Sequence, residues 1–489
     1  MLSRIPIFLS VMLCATSIAL AQEPKAGDIT FESTTYAPSK GDPVEAERGT
    51  LWVPANRSRS GNDLYKLGFI RFKSTSDNPG PPIIYLAGGP GGSGIESARG
   101  ARFPLFMAMR AYGDVIAFDQ RGTGISEPKP ILTITRDYPL DKPIDFDAFM
   151  KPIIDQTKTQ LDALEAGGLD LASFNTEESA DDLNDLRIAL GAKKISLWGI
   201  SYGTHLGLST IRRHGQHIHK AMLAGLEGPD QSIKLPSDQE ALLKDLAARV
   251  KNDPELGEHI PDLMGLLGNL LNELEQNPVM VKAFDPVAKE RVEVLVDKWS
   301  MQFAMVSLLG TTSSSRNIPQ LVYNASQGDF RRMGNAAMLA RRASNRQLVM
   351  ALLMDCASGA TQARLRQIEK EAEETILGDT INLIYPEICA ACAEIDLGDD
   401  FRGPLTSDVR TLFISGTLDG RTSVANAEKL IPGFSNSEHL IIEGAGHSDE
   451  LFLSSAEILK TMQEFMSDNP LSTTHIELSP MKFTKPRFR

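Results

Sequence analysis

Cysteine is scarce here: the chain has four in 489 residues, and one of them, Cys14, lies in the first apolar stretch. So few thiols cannot form a disulfide scaffold. Cys389-Ala390-Ala391-Cys392 has the spacing of half a zinc or redox site. No second pair follows it and no strand–helix redox context surrounds it, so no metal is expected there. Basic charge is also short. A net charge of −13 argues against nucleic acid or an anionic membrane surface as a partner. No apolar run is long enough to span a bilayer, and no internal repeat or low-complexity linker is evident. The glycine-rich stretch after residue 86 lacks a closing Gly-Lys-Ser/Thr, which removes the phosphate-cradling reading. What remains is ordinary globular composition, 42% hydrophobic and 23% charged, in a chain long enough for one large domain with an insertion or for two domains.

The first residues read as a targeting segment. Arg4 precedes the mostly apolar Ile5 to Leu13, and Ala19-Leu20-Ala21 before Gln22 has the small-x-small pattern of a cleavage site. Residues 1–21 are therefore expected to be a signal peptide. Leu13 is too large to precede a lipidated cysteine, so Cys14 is not expected to provide a stable membrane anchor. The mature protein is expected in the periplasm or outside the cell. An oxidising compartment permits one disulfide among Cys356, Cys389 and Cys392. Cys356 is expected to pair with either Cys389 or Cys392, leaving one thiol over.

Along the mature chain, Gly49–Pro54 and Leu67–Phe72 look like early antiparallel strands. Ile83–Leu86 and Val115–Asp119 are continuous apolar runs of the kind buried on both faces of a sheet. Asn175-Thr176-Glu177-Glu178 opens a helix with a cap and an acidic first turn, running to about Leu190. Ile195–Trp198, Ala221–Leu226, Thr411–Ser415 and His439–Glu443 complete an alternation of strands and helices, which implies a mostly parallel, helix-flanked sheet. Between Leu226 and Thr411 the period changes. Leu242, Leu243, Leu246 and Val250, then Leu263, Leu267, Leu270, Leu271 and Leu274, recur at helical spacing, and further helices are expected over 291–309, 318–343 and 346–376. This block reads as a helical cap inserted after the sixth main strand. The expected division is a core over 22–230 and 406–470, a cap over 231–405, and a basic tail over 471–489 to which no function is assigned.

The chemistry concentrates at Gly199-Ile200-Ser201-Tyr202-Gly203, between a strand and helix-forming sequence. A side chain at either glycine would collide with a neighbour at the sharp turn that lifts Ser201 out of the sheet. Asp419 follows the strand 411–415, and His447 follows the strand 439–443 in Gly444-Ala445-Gly446-His447. The chain order Ser, Asp, His suits a nucleophile, an orienting acid and a general base. His447 would take the Ser201 proton and return it to the leaving group, while Asp419 holds the imidazole tautomer. The oxyanion that forms needs donors. The Tyr202 amide is one, and the second is expected from Ala87-Gly88-Gly89-Pro90-Gly91-Gly92-Ser93-Gly94, with Gly89 preferred over Gly88. His205 is expected to be a packed or rim residue. His214, His217 and His219 fall in a helix-ending loop beside Arg212, Arg213 and Lys220 and are not expected to bind metal.

These motifs together resemble the proline iminopeptidase and tripeptidyl aminopeptidase family of α/β-hydrolases. Gly88-Gly89-Pro90-Gly91, Asp119-Gln120-Arg121-Gly122-Thr123-Gly124-Ile125-Ser126, Tyr202-Gly203 after the serine, and Gly444–His447 are each similar to family motifs. The later cysteines and long insertion look more like the exported tripeptidyl branch. The resemblance implies an α/β-hydrolase fold, without a cofactor, that releases N-terminal residues or short peptides, with a cap carboxylate meeting the free amine. Glu227, just past the sixth strand, is the candidate. The chain departs from the family pattern at Ala87, where histidine is common, and at Gly420-Arg421-Thr422, where a proline-containing segment is common. The alternative is an exported carboxylesterase or acyl hydrolase with the same triad. A non-catalytic binding protein on this fold does not explain the intact triad, and an epoxide hydrolase or dehalogenase would carry aspartate at position 201.

Overall fold

Alternating side chains in the central strands set the layering. The computed structural model describes residues 23–59, 61 and 63–488, so the signal peptide read at 1–21 lies outside the described residues. Its strands are β1 (Ile29–Tyr36), β2 (Val44–Pro54), β3 (Leu64–Phe72), β4 (Ile83–Leu86), β5 (Val115–Phe118), β6 (Ile131–Asp137), β7 (Ile195–Ser201), β8 (Ile218–Leu226), β9 (Val279–Asp285), β10 (Glu290–Val296), β11 (Arg342–Leu348), β12 (Arg410–Gly416), β13 (Ser437–Glu443) and β14 (His475–Glu477). Ten of them form one sheet in the order β1-β2-β3-β5-β4-β7-β8-β12-β13-β14. The pairs from β1 to β5 run antiparallel, and those from β5 through β4 to β14 run parallel.

Successive residues of a strand face opposite sides, and both sides here are apolar. Ile84, Leu86, Ile116, Phe118, Leu197, Leu223 and Phe413 meet the helices Thr176–Ala189 and Tyr202–His214 on one face. Ile83, Tyr85, Val115, Ala117, Trp198, Ile200, Met222, Leu412 and Ile414 meet the segments 94–109 and 451–466 on the other. Each large apolar side chain fully buried this way stabilises the fold by about 1.5–3 kcal/mol. The strand order turns back at β4, which has β5 on one side and β7 on the other. A crevice opens at the carboxyl ends of strands at such a point.

The mostly parallel, helix-flanked sheet is as read from the sequence, with two strands added. β1 at one edge and β14 at the other escaped notice, so the large insertion follows the seventh strand of the sheet rather than the sixth. The insertion is not wholly helical. Residues 291–296 lie in β10, paired antiparallel with β9; Val294, Leu295 and Val296 are all buried, so the β-branched valines suit a strand without a strict alternation to mark it. The helix expected over 318–343 is two helices, Ile318–Ser326 and Arg331–Arg341, separated at Gly328, whose φ is 85°. The stretch 346–376 begins inside β11, continues as the helix Val349–Ser358, and restarts as Gln362–Glu374 after Gly359 at φ 52°. β11 pairs with β6, and the helix Phe146–Ala166 packs against Glu387–Ile395. The excursion between β5 and β7 thus joins the insertion, a long-range pairing that no local period announces.

Cys356 is bonded to Cys389, tying the end of the helix Val349–Ser358 to the segment Glu387–Ile395. Cys392 stays a buried thiol that burial pushes up to about 11, which corrects its inclusion among the pairing candidates. The tail adds β14 to the sheet and then crosses to the insertion. There the Thr484 amide donates to the Arg316 carbonyl at 2.9 Å, and Phe488 stacks on His259 with ring centroids 3.8 Å apart.

Candidate active site

β7 ends at Ser201, and the helix Tyr202–His214 starts at once. Ser201 sits at φ 54°, ψ −128°, a conformation that costs a non-glycine residue about 1–3 kcal/mol. Its hydroxyl does not cap the following helix, so it stays available. The two flanking glycines are required sterically. A Cβ on Gly199 would stand 2.6 Å from the Gly203 carbonyl oxygen, and one on Gly203 would stand 2.1 Å from that of Leu86.

His447 follows β13, and its Nδ1 lies 2.8 Å from Asp419 Oδ2. Asp419 is buried on the loop after β12. Its Oδ1 accepts from the amides of Arg421 and Thr422, each at 2.8 Å, and its Oδ2 accepts from the Thr422 hydroxyl at 2.8 Å. Burial alone would raise this carboxyl, but the His447 charge and hydrogen bond and the two amides outweigh it and hold Asp419 below the usual aspartate value. An ionised Asp419 fixes the proton on Nδ1 and leaves Nε2 as the basic nitrogen. Ser201 and His447 line one cavity of about 500 Å³ at the carboxyl edge of the sheet.

The glycine-rich loop after β4 lines the same cavity through Gly88, Gly89 and Gly92. Gly88 packs directly on the serine: a Cβ there would lie 2.8 Å from Ser201 Cβ. The Tyr202 amide is the first N–H of its helix, where donors have no partner within the helix. The Tyr202 side chain points away into the core, its hydroxyl 3.0 Å from that of Thr176. Behind the loop, Asp119 Oδ1 accepts from the Ser93 hydroxyl at 2.6 Å and the Ile95 amide at 3.2 Å, while Oδ2 accepts from the Ile125 amide at 2.9 Å. Gln120 Nε2 donates to the Ala87 carbonyl at 3.1 Å. Arg121, fully buried, donates to both Asp182 oxygens at 2.7 and 2.8 Å. The segment 119–126 therefore acts as the support that shapes the glycine loop.

Glu227 lies just past β8, and its side chain lines the cavity. It is buried rather than solvated, and it accepts from Lys234 Nζ. Its backbone amide donates to Thr204 Oγ1 at 2.9 Å, and that hydroxyl donates to the Ser201 carbonyl at 2.7 Å. Asp355 stands close enough to Glu227 for their charges to oppose; burial first, then Glu227, holds its carboxyl well above the usual range. His205 is packed beneath, between the Gly228 carbonyl at 3.0 Å and the Ser358 hydroxyl at 2.9 Å. His214 is held by Asp181 at 2.7 Å, in an ion-pair cluster with Arg213.

Sequence reasoning missed Thr422, Arg102, Lys234, Arg421 and Glu450. Arg102 lines the cavity and donates to Asp449 at 2.7 Å, to Ser448 at 3.1 Å and to the Tyr85 hydroxyl. The Glu450 carboxylate accepts from the Gly446 amide at 2.7 Å and from Thr312 Oγ1 at 2.8 Å, fastening the histidine loop to the insertion. Only Thr422 left a local signal: a threonine three residues after an Asp-Gly turn is a common partner for that aspartate. Arg421, Glu450 and Lys234 lie close in sequence to Asp419, His447 and Glu227 but follow no recognisable pattern, and Arg102 meets the site from a distant part of the chain.

Over 195 residues the chain is 31% identical to the serine protease Hip1 of Mycobacterium tuberculosis (strain ATCC 25618 / H37Rv), covering 37% of this chain and 36% of that protein. It is 27% identical over 234 residues to the tripeptidyl aminopeptidase of Streptomyces lividans, covering 44% and 41%. The matches thus span well under half the length of these curated relatives. Among solved structures it is similar to a thermophilic esterase from Thermogutta terrifontis, at 15% identity and a TM-score of 0.37 over 89% of this chain and 98% of that one. The family model for the alpha/beta hydrolase fold matches residues 81–452, from just before β4 to past His447, and the chain belongs to that family.

Proposed function

We propose that the chain is a serine hydrolase of the aminopeptidase type, releasing N-terminal residues or short peptides through an acyl-enzyme on Ser201. The observation that carries this is the Asp419–His447 pair facing the cavity into which the strained elbow lifts Ser201. His447 Nε2 takes the hydroxyl proton as Ser201 Oγ attacks the carbonyl carbon, and the imidazolium is stabilised by Asp419. The amides of Tyr202 and Gly89 then receive the oxyanion, each worth roughly 3–4 kcal/mol in the transition state. His447 returns the proton to the leaving amine, and water repeats the sequence on the acyl-enzyme. No step calls for a metal or cofactor.

The peptide reading is supported by the names of the two relatives and by Glu227 lining the cavity, where an ammonium group would be attracted. Lys234 already sits on Glu227, so a substrate amine must share that carboxylate or displace the lysine. That pairing favours the second reading, an acyl hydrolase of esters with no demand for a free amine. Export is supported by the leader pattern of residues 1–21 and by the Cys356–Cys389 bond.

The test compares kcat/KM on aminoacyl and tripeptidyl arylamides, each with free and blocked amines, beside p-nitrophenyl esters. Cleavage of arylamides that requires the free amine is expected. Equal cleavage of N-blocked substrates sinks the aminopeptidase reading and leaves the esterase.

A further inference from the structure

Charge around the catalytic cavity is almost entirely matched. Asp419 is engaged by His447, Thr422 and two amides. Lys234 is paired with Glu227, and Arg102 with Asp449. One charge is left over. Arg421 lines the cavity with Ser201 and His447, yet among the described residues its guanidinium has no ion-pair or hydrogen-bond partner; only its backbone amide is used, on Asp419. The side chain is exposed to solvent and lies against the insertion. Its Nε and one terminal nitrogen lie 3.3 and 3.5 Å from where a Cβ on Gly310 would sit, so the guanidinium packs over the loop that the insertion lays against the triad.

We propose that Arg421 is a specificity-determining residue that receives a carboxylate of the substrate, close to the bond being cut. The inference rests on the hydrolase reading above and names its substrate class: short acyl compounds carrying a negative charge. A guanidinium fork matches a carboxylate through two parallel hydrogen bonds, and the partner most cations of this cavity already have is missing here. The carboxylate has two possible sources, the C-terminus of a short leaving peptide or an acidic side chain on the acyl part. In both cases it lies within an arginine's length of the loop that carries Asp419. Asp419 attracts Arg421 through space, but its oxygens are taken by four hydrogen bonds, none of them from the guanidinium.

The experiment measures ratios of kcat/KM for matched substrates on the full chain and on its Arg421→Gln and Arg421→Lys variants. One pair is a tetra-alanine with a free C-terminal carboxylate and its C-terminal amide. A second is a tripeptidyl arylamide with Glu or Gln next to the arylamide. A third, which needs no peptidase activity, is 4-carboxyphenyl butyrate beside 4-carbamoylphenyl butyrate, corrected for uncatalysed hydrolysis. The wild type is expected to favour the charged member of at least one pair by about 10- to 100-fold, the range of a charge-assisted hydrogen bond. The pair that responds identifies the source. Arg421→Gln is expected to bring that ratio close to one, and Arg421→Lys to retain part of it. Each ratio is internal to one protein, so a general loss from a disturbed triad cancels. Ratios near one for all three pairs in the wild type, or a preference that survives Arg421→Gln, overturn the assignment. Refusal of the peptides with a retained preference in the ester pair defeats the aminopeptidase reading and leaves Arg421 in its role.

Discussion

At the scale of single residues, Asp419 decides how well the site is prepared. Its carboxylate does not touch the reacting atoms; it fixes which nitrogen of His447 carries the proton. Asp419→Asn can keep the shape but presents a donor where an acceptor is needed, so kcat is expected to fall roughly 10³- to 10⁴-fold with KM little changed. The same group contributes to stability with a definite sign. Its folded pKa lies below the ordinary value of 3.8, so the contribution is fully present above that value and is lost as pH falls through the folded pKa. The difference in Tm between wild type and Asp419→Asn should therefore be largest near neutrality and shrink below about pH 4, as thermal melts across pH will show. A gap that widens in acid contradicts the assignment.

At the scale of elements, the elbow between β7 and its helix is a packing problem solved by two glycines. A methyl at position 203 meets the Leu86 carbonyl at 2.1 Å, and both groups are fixed by backbone. Gly203→Ala is expected to cost at least about 3 kcal/mol in thermal or denaturant unfolding and to displace Ser201, lowering kcat by more than the loss of folded protein explains. An alanine variant with wild-type stability would refute the close contact between β4 and this helix. The elbow and the acid and histidine loops were legible because each motif is local: glycines about a serine, an aspartate and a histidine just past apolar runs. The division of the insertion was less so. Residues 291–296 carry enough valine and leucine to fit a helical count, and only pairing with β9 selects the strand. β6 and β11 lie some two hundred residues apart, and each gains its place from the other. Glu227 was found by its position after a strand, but its partner Lys234 was not, because a salt bridge leaves no period in a sequence.

At the scale of the whole molecule, the insertion is held to the catalytic sheet at several separate points. Glu450 clasps Thr312, the tail carries β14 to one sheet edge and Phe488 to the insertion, and Cys356–Cys389 closes a span of 33 residues within it. A cross-link over a loop of that length stabilises by about 3–4 kcal/mol in the chain-entropy account. Reduction, or a Cys389→Ser change, is expected to lower Tm by several degrees and to leave β7 and the elbow in place, since the bond lies outside the sheet. An unchanged Tm under reductant would show that packing alone holds the segment 387–395. The central claim, that Ser201 is the nucleophile prepared by His447, is tested most directly by trapping. Incubation with a fluorophosphonate followed by peptide mass mapping should find one adduct per chain, on Ser201, formed in step with loss of hydrolysis and much slower in His447→Ala. An adduct on another residue, or full inhibition with Ser201 unmodified, would contradict it.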